Sequence, residues 1–88
     1  MSLIATGPQL RAARNALRWS IETLSAKAGI SMRTIIRYED VDGIPPTRSD
    51  NLEKLVRTLE SAGIEFIGTP DDGPGIRIYS TSSDPSST

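Results

Sequence analysis

The hydrophobic positions of the first 62 residues recur with the period of an α-helix. The pattern predicts four helices. The first opens at Gly7 and Pro8, since proline is well tolerated in a first helical turn, and Gly63 ends the last. The inward faces are formed in turn by Leu10, Ala13 and Leu17; by Ile21, Leu24 and Ala28; by Ile35; and by Leu52, Leu55, Val56 and Leu59.

The second and third helices are short and are separated by a tight turn. Ser20 and Ser31 are good N-cap residues, and each precedes one of the two helices. Gly29 stands where the second helix must end in a left-handed conformation. Two short helices joined by such a turn form a helix-turn-helix, with the third helix running over 31–39.

The period changes after residue 63. Residues 64–67 and 76–79 alternate in a way that predicts two short β-strands, and the glycine- and proline-rich segment 68–75 predicts the turn between them. Residues 80–88 contain no apolar side chain to bury, which is typical of disorder.

The chain therefore divides into four parts. We predict a flexible lead-in over 1–6, a mainly α helix-turn-helix domain over 7–62, a β-strand extension over 63–79 and a disordered tail over 80–88.

The amino-acid composition excludes many classes of catalytic mechanism. The 88 residues include no cysteine and no histidine, which removes the thiol nucleophile, the commonest general base near neutral pH and the commonest transition-metal ligand. Paired carboxylates work as acid and base only in a pocket, and a chain this short encloses little of one. We expect no enzymatic activity, no metal and no cofactor. No apolar run is long enough to span a bilayer and no secretory leader opens the chain, so we expect a cytoplasmic protein.

Charge is distributed unevenly along the chain. The net charge is −1, but residues 1–48 carry seven basic and four acidic side chains, whereas residues 49–88 carry three basic and seven acidic ones. Six of the seven basic residues in the first part are arginine, the better side chain for bidentate contacts to phosphate and guanine. A solvated surface would explain this charge equally well. The overall acidity argues against a sequence-blind nucleic-acid binder.

The segment from Ser20 to Ser31, followed by Thr34-Ile35-Ile36-Arg37-Tyr38-Glu39, resembles the Cro/phage-repressor type of helix-turn-helix, also called the xenobiotic-response-element family. The resemblance covers residues 8–62, and the strands after residue 62 are similar to the tail of a compact bacterial and phage-like subgroup. It implies a lambda-repressor-like four-helix domain. It also implies a nucleoid-associated transcriptional regulator, most simply a repressor, that binds double-stranded DNA at an inverted repeat.

The resemblance also implies which residues read DNA bases. The family's third helix enters the major groove, and Met32, Arg33 and Arg37 match its base-reading positions. Either arginine could bind guanine bidentately, and methionine suits a thymine methyl group. Ile36 is either a second methyl contact or a core residue.

A second implied group contacts the DNA backbone. Ser31 and Thr34 have short hydroxyls that could reach phosphate, although Ser31 could serve as a helix cap alone. Arg48 occupies a loop position that lies near the backbone in the family's docking mode. Arg11 is a weaker candidate, for which a solvated surface is an equal alternative. By the same register, Arg14 on the first helix pairs with Glu39 and orients the reading helix without touching DNA.

One position departs from the family pattern. The family usually has glutamine at the first position of its second helix, where the side chain approaches the DNA backbone, and Ile21 stands there in this chain. Together with the acidic second half, this residue slightly favours an alternative function. The chain could be an antitoxin-like or adaptor protein that binds another protein through its C-terminal half.

The predicted strands raise the question of a second copy. Ile64, Phe66, Ile76 and Ile78 fall on alternating positions, and a lone hairpin is marginally stable in water. We expect the hairpin to pack on the fourth helix and its free edge to pair with a second subunit, giving a homodimer through residues 62–79. The alternative is a monomer whose hairpin only closes the core.

Overall fold

The computed structural model describes residues 5–46 and 50–79. The chain is mainly α, with four helices followed by a two-stranded antiparallel sheet. The predicted tail and the first four residues of the predicted lead-in lie outside the described residues. The elements are α1 (Gly7–Ala16), α2 (Ile21–Ala28), α3 (Met32–Glu39), α4 (Asn51–Ser61), β1 (Ile64–Thr69) and β2 (Asp72–Ile78).

The start of α1 is fixed by a reciprocal pair of hydrogen bonds. Thr6 is the N-cap: its hydroxyl accepts from the backbone N–H of Gln9 at 3.2 Å, and its own N–H donates to the Gln9 side chain at 2.8 Å. This arrangement satisfies two amide groups that a helix start otherwise leaves unpaired. Ala5 and Thr6 are both buried, so these two residues of the predicted lead-in belong to the folded domain.

The turn between α2 and α3 follows the prediction. The Ser20 and Ser31 hydroxyls each accept a hydrogen bond from the backbone N–H three residues later, at 3.0 and 3.2 Å. Gly29 adopts a left-handed conformation with φ 71°, which a residue with a Cβ rarely tolerates. Because only Gly29, Ile30 and Ser31 separate the two helices, α3 has a fixed direction relative to α2.

One hydrophobic core joins all six elements. Its buried members are Ala5, Leu10, Ala13, Leu24, Ile30, Ile35, Tyr38, Leu52, Leu55, Val56, Leu59 and Ile64. Leu17, Trp19, Ile21, Ala28, Phe66 and Ile76 are partly buried and pack against them.

The hairpin is longer than the sequence predicts. The strands run over Ile64–Thr69 and Asp72–Ile78, so only Pro70 and Asp71 join them, and the prediction of a turn over the whole of 68–75 is wrong. Both strands of a two-stranded sheet are edge strands, which tolerate Pro74 because the missing N–H can face away from the partner strand. A bulge between Ile67 and Thr69 absorbs the irregular register.

Gln9 ties α1 to this hairpin. Its side-chain amide donates to the backbone carbonyl of Ile67 at 3.2 Å and to that of Gly75 at 2.8 Å, and these two residues face each other across the strands. The side chain is 6 % exposed. One residue of the first helix therefore caps its own helix and holds both strands of the sheet.

We expect Gln9→Ala to lower the free energy of unfolding by about 1–2 kcal/mol, because it leaves two carbonyls and one amide with fewer partners. Chemical denaturation gives the total effect, and hydrogen exchange of the strand amides locates it in the hairpin. Asn15→Ala on the exposed side of α1 is the matched control and should change stability little. Equal losses in both variants would contradict the role of Gln9.

The exposed face of the hairpin carries a small polar cluster. Glu65 accepts hydrogen bonds from the Tyr79 hydroxyl at 2.7 Å and from Arg77 at 2.9 Å, and Glu65 and Arg77 are cross-strand partners. The Tyr79 hydroxyl, and then the charge of Arg77, lower the pKa of the Glu65 carboxyl below its usual value.

We expect Tyr79→Phe to raise the pKa of Glu65 toward its ordinary value, as followed by NMR titration of the carboxyl. A carboxyl whose pKa is lower in the folded state stabilises the fold above its unfolded value, near pH 4.5, and this stabilisation is lost as pH falls through the folded value. The protection factors of the hairpin amides, which correct for the intrinsic pH dependence of exchange, should fall in that acidic window. An unchanged pKa in Tyr79→Phe would show that the hydroxyl is not the cause.

Candidate nucleic-acid interface

Helix α3 buries one face and exposes the other. Ile35, Tyr38 and Glu39 are buried against the rest of the chain. The exposed face is formed by Met32, Arg33, Ile36 and Arg37, the four residues predicted to read bases, with Met32 45 % and Ile36 54 % exposed. The exposure of Ile36 shows that its interpretation as a core residue is wrong, and its contact with a methyl group stays a prediction.

The two arginines on this face have free guanidinium groups. Within the described part of the chain, Arg33 and Arg37 form no hydrogen bond or ion pair, and Arg18 is the only other described arginine of which this is true. Arg11, Arg14, Arg57 and Arg77 all donate to an oxygen atom of another residue. Two of the three described arginines without such a partner therefore lie on the exposed face of α3.

The structure brings Arg14 and Glu39 together as the register implied. The Arg14 Nε lies 2.7 Å from Glu39 Oε2 and its Nη2 lies 2.9 Å from Oε1, a bidentate ion pair whose side chains are only 15 % and 7 % exposed. This hydrogen bonding raises the pKa of Arg14 above its ordinary value, although burial opposes the shift. Arg14 Nη1 also donates to the carbonyl of Trp19 at 2.9 Å, so all three nitrogen atoms of this guanidinium donate to an oxygen atom.

Arg11 lies beside this pair but makes a different contact. Its guanidinium donates to the backbone carbonyl of Glu39 at 2.7 Å, at the last residue of α3. This carbonyl belongs to the negative end of the helix, where a positive charge is stabilising. Arg11 and Arg14 together hold the C-terminal end of α3 against α1. The side chain of Arg11 nevertheless remains exposed to solvent.

Of the remaining residues predicted to contact phosphate, the structure places Ser31 and Thr34 at the beginning of α3. Ser31 caps α3, accepting from the Thr34 amide, and its hydroxyl also lies 2.9 Å from the Thr34 hydroxyl, to which it donates. Capping accounts for Ser31 without a phosphate. Thr34 is half-buried. Arg48 lies outside the described residues.

Ile21 lies on the same side of the molecule as the exposed face of α3. It is half-buried, packs against the core and lines a shallow cleft together with Arg11, Ile36 and Asp40. The position that usually carries a polar side chain in the resembling family therefore contributes apolar surface here.

The residues predicted to form a dimer interface divide into three kinds. Ile64 is 2 % exposed within a single chain, so it is a core residue and has no surface left for a partner. Phe66 and Ile76 are opposite each other in the sheet and half-buried against the core. Ile78 is 59 % exposed although it pairs with the buried Ile64.

No protein-family model matches the sequence, and no curated protein is similar enough to count as a match. Among the described residues, every helix is too short to cross a bilayer, the longest being the 11 residues of α4.

Proposed function

We propose that the protein binds double-stranded DNA in a sequence-specific manner, through a helix-turn-helix formed by α2 and α3, and acts as a transcriptional regulator, most simply a repressor. The observation that carries the proposal is the exposed face of α3. It presents two guanidinium groups that have no partner within residues 5–46 and 50–79, beside two exposed apolar side chains, on a helix whose opposite face is held by the core and by a buried ion pair.

The side chains of this face suit the major groove. An α-helix fits the groove of B-DNA, and its side chains then meet base edges that differ for all four base pairs. Arg33 and Arg37 are four residues apart and so lie on neighbouring turns of one face. Each can donate two parallel hydrogen bonds to guanine O6 and N7, whereas Met32 and Ile36 offer apolar contacts to thymine methyl groups.

Rigidity of the reading helix supports the same proposal. Base readout requires side chains held in a fixed geometry by the elements behind them. The cap at Ser31 fixes the beginning of α3, and the contacts of Arg11 and Arg14 with Glu39 fix its end. A lambda-repressor-like domain of the Cro type, with α2 lying across the DNA backbone, is the arrangement that this combination supports best.

Phosphate contacts would come from residues around the edge of this face. Thr34 and Arg11 remain candidates, since Thr34 is half-buried at the start of α3 and Arg11 is exposed near its end; Ser31 is a weaker one because capping occupies it. Arg48, predicted from the sequence, is a further candidate for a phosphate contact. Binding should weaken with rising salt, because each neutralised phosphate releases counterions.

A homodimer is part of this proposal. One helix-turn-helix reads about half of an operator, and a two-fold dimer on half-sites one helical turn apart reads the whole. Phe66, Ile76 and Ile78 of the hairpin are the remaining interface candidates, and an unpaired strand edge offers main-chain hydrogen bonds to the same edge of a second copy. Light scattering at tens of micromolar, with and without DNA, tests this: a monomer under both conditions would contradict it.

A second candidate is an adaptor that binds another protein. The exposed Ile78 and Tyr79, at the end of a hairpin in the acidic half of the chain, are the observation that favours it. Such a protein would use residues 62–79 to hold a partner, and its α3 could still serve DNA binding.

In vitro selection from random duplex DNA, using the full chain and sequencing of the bound pool, tests the main proposal. We expect an inverted repeat with half-sites about one helical turn apart and with guanines in each half-site. An absence of enrichment at low salt would overturn DNA readout. It would direct attention to a protein partner at residues 62–79.

A further inference from the structure

The exposed face of α3 contains the same two-residue unit twice. Met32 precedes Arg33, and Ile36 precedes Arg37, so on each of two successive turns an apolar residue directly precedes an arginine that has no partner among the described residues. Residues four apart on a helix are neighbours. The face is therefore two adjacent stripes, one apolar and one cationic, and not a mixed polar surface.

Exposed apolar side chains of this size are concentrated on this helix. The described residues contain five large hydrophobic side chains that are exposed, and two of them lie on the eight residues of α3. The other three are Ile44, Ile78 and Tyr79. Met32 and Ile36 are neighbours on adjacent turns, so they form one apolar patch, and a patch inside a binding face is complementary to an apolar feature on the ligand.

The major groove of DNA has one apolar feature, the methyl group on C5 of thymine. A methyl group on C5 of cytosine occupies the same position on the pyrimidine ring. When a methylated pyrimidine stands immediately 5′ of a guanine, its methyl group lies beside the guanine O6 and N7 that an arginine binds. An arginine with an apolar neighbour is therefore complementary to a two-base step and not to a single base.

Resting on the proposed function, we infer that α3 reads methyl-bearing pyrimidine–guanine steps, 5′-TG-3′ or its 5-methylcytosine equivalent. Each step is held by an arginine on the guanine and by the neighbouring apolar side chain on the methyl group. Successive turns of a helix are about 5.4 Å apart and base pairs about 3.4 Å apart, so the two units address positions one to two base pairs apart. The protein then responds to cytosine methylation at a CG step by binding more tightly.

The test removes or adds only the methyl group. Duplexes from the selected pool are made with thymine, deoxyuridine, cytosine or 5-methylcytosine at the pyrimidine 5′ of each guanine, and dissociation constants are measured for the full chain. Burial of one methyl group predicts about threefold to fivefold weaker binding for deoxyuridine than for thymine. The same ratio is expected between cytosine and 5-methylcytosine.

Three variants assign the effect to its side chains. Ile36→Ala should bind the thymine and deoxyuridine forms of one step about equally, and Met32→Ala should do so at the other step. Both positions are exposed and alanine is a strong helix former, so the fold should persist, as circular dichroism can verify. Ile44→Ala removes an isoleucine of similar exposure outside α3 and should keep the wild-type ratio.

The outcomes separate this inference from the function it rests on. A selected site whose guanines are not preceded by thymine, or equal binding of thymine and deoxyuridine by the wild-type chain, would overturn methyl readout while leaving sequence-specific DNA binding intact. A selection that enriches no sequence would remove both. A thymine preference that persists unchanged in Ile36→Ala and Met32→Ala would also overturn it, because the methyl group would then be read by other residues.

Discussion

Arg14→Ala should lower the free energy of unfolding by about 2–4 kcal/mol, in chemical denaturation at neutral pH. The substitution leaves the Glu39 carboxylate, which is 7 % exposed, without its two charged hydrogen-bond donors, and it removes a third hydrogen bond to the Trp19 carbonyl. Small domains are stable by only about 0.05–0.15 kcal/mol per residue. A loss of this size is therefore a large fraction of the total stability.

A double-mutant cycle isolates the pair from its surroundings. Arg14→Ala/Glu39→Ala should be less destabilised than the sum of the two single variants, since no charge is then left buried alone. Arg57→Ala is the matched control, because Arg57 forms an exposed ion pair with Glu53 one turn away on α4 and should cost about 0.5 kcal/mol or less. Additive effects of Arg14 and Glu39 would mean that the two side chains do not stabilise the fold as a pair.

The local features of this chain could be predicted because they depend on neighbouring residues. Ser20, Gly29 and Ser31 mark the ends of α2 and α3 through caps and a left-handed glycine, and the structure confirms all three. The spacing of Leu52, Leu55, Val56 and Leu59 likewise places the buried face of α4. In each case the physical cause lies within a few residues of its effect.

Features that depend on residues distant in sequence could not be predicted from local patterns. Thr6 and Gln9 have the spacing of a capping box, a signal that would have found the cap, but nothing local connects Gln9 to strand carbonyls 58 and 66 residues away. Ile64 is buried while Ile78 is exposed, although the two are paired and equally hydrophobic. The packing of helices against the sheet decides which of the two is buried, and the alternation of residues along the strand cannot predict it.

The candidate site shows the same division. Periodicity alone indicated that Ile35 faces inward, but whether Ile36 is surface or core depends on how far the neighbouring helices reach around α3. The pairing of Arg14 with Glu39, 25 residues apart, followed from a resemblance to a family and not from the spacing. Whether Arg33 and Arg37 have partners depends on the tertiary arrangement, because any of several acidic residues could pair with them; the described chain contains no such partner.

Arg33→Ala should weaken binding to the selected operator by roughly 5- to 150-fold and flatten the preference at one base position, as measured by titration of duplexes that vary at each position. Arg37→Ala should do the same at a second position. Both guanidinium groups are free in the described chain, so neither variant loses an intramolecular contact and both should unfold at the wild-type denaturant concentration.

Two further arginine variants serve as controls that distinguish loss of base recognition from loss of general DNA affinity. Arg57→Ala, on α4 and paired with Glu53, should leave affinity and preference unchanged. Arg48→Ala should weaken all sequences alike and reduce the dependence of binding on salt by about one phosphate contact, since a backbone contact carries no sequence information. If Arg33→Ala and Arg37→Ala behaved like Arg48→Ala, with uniform weakening and intact preference, their side chains would touch phosphates. The base-reading role of α3 would then be wrong even though the protein bound DNA.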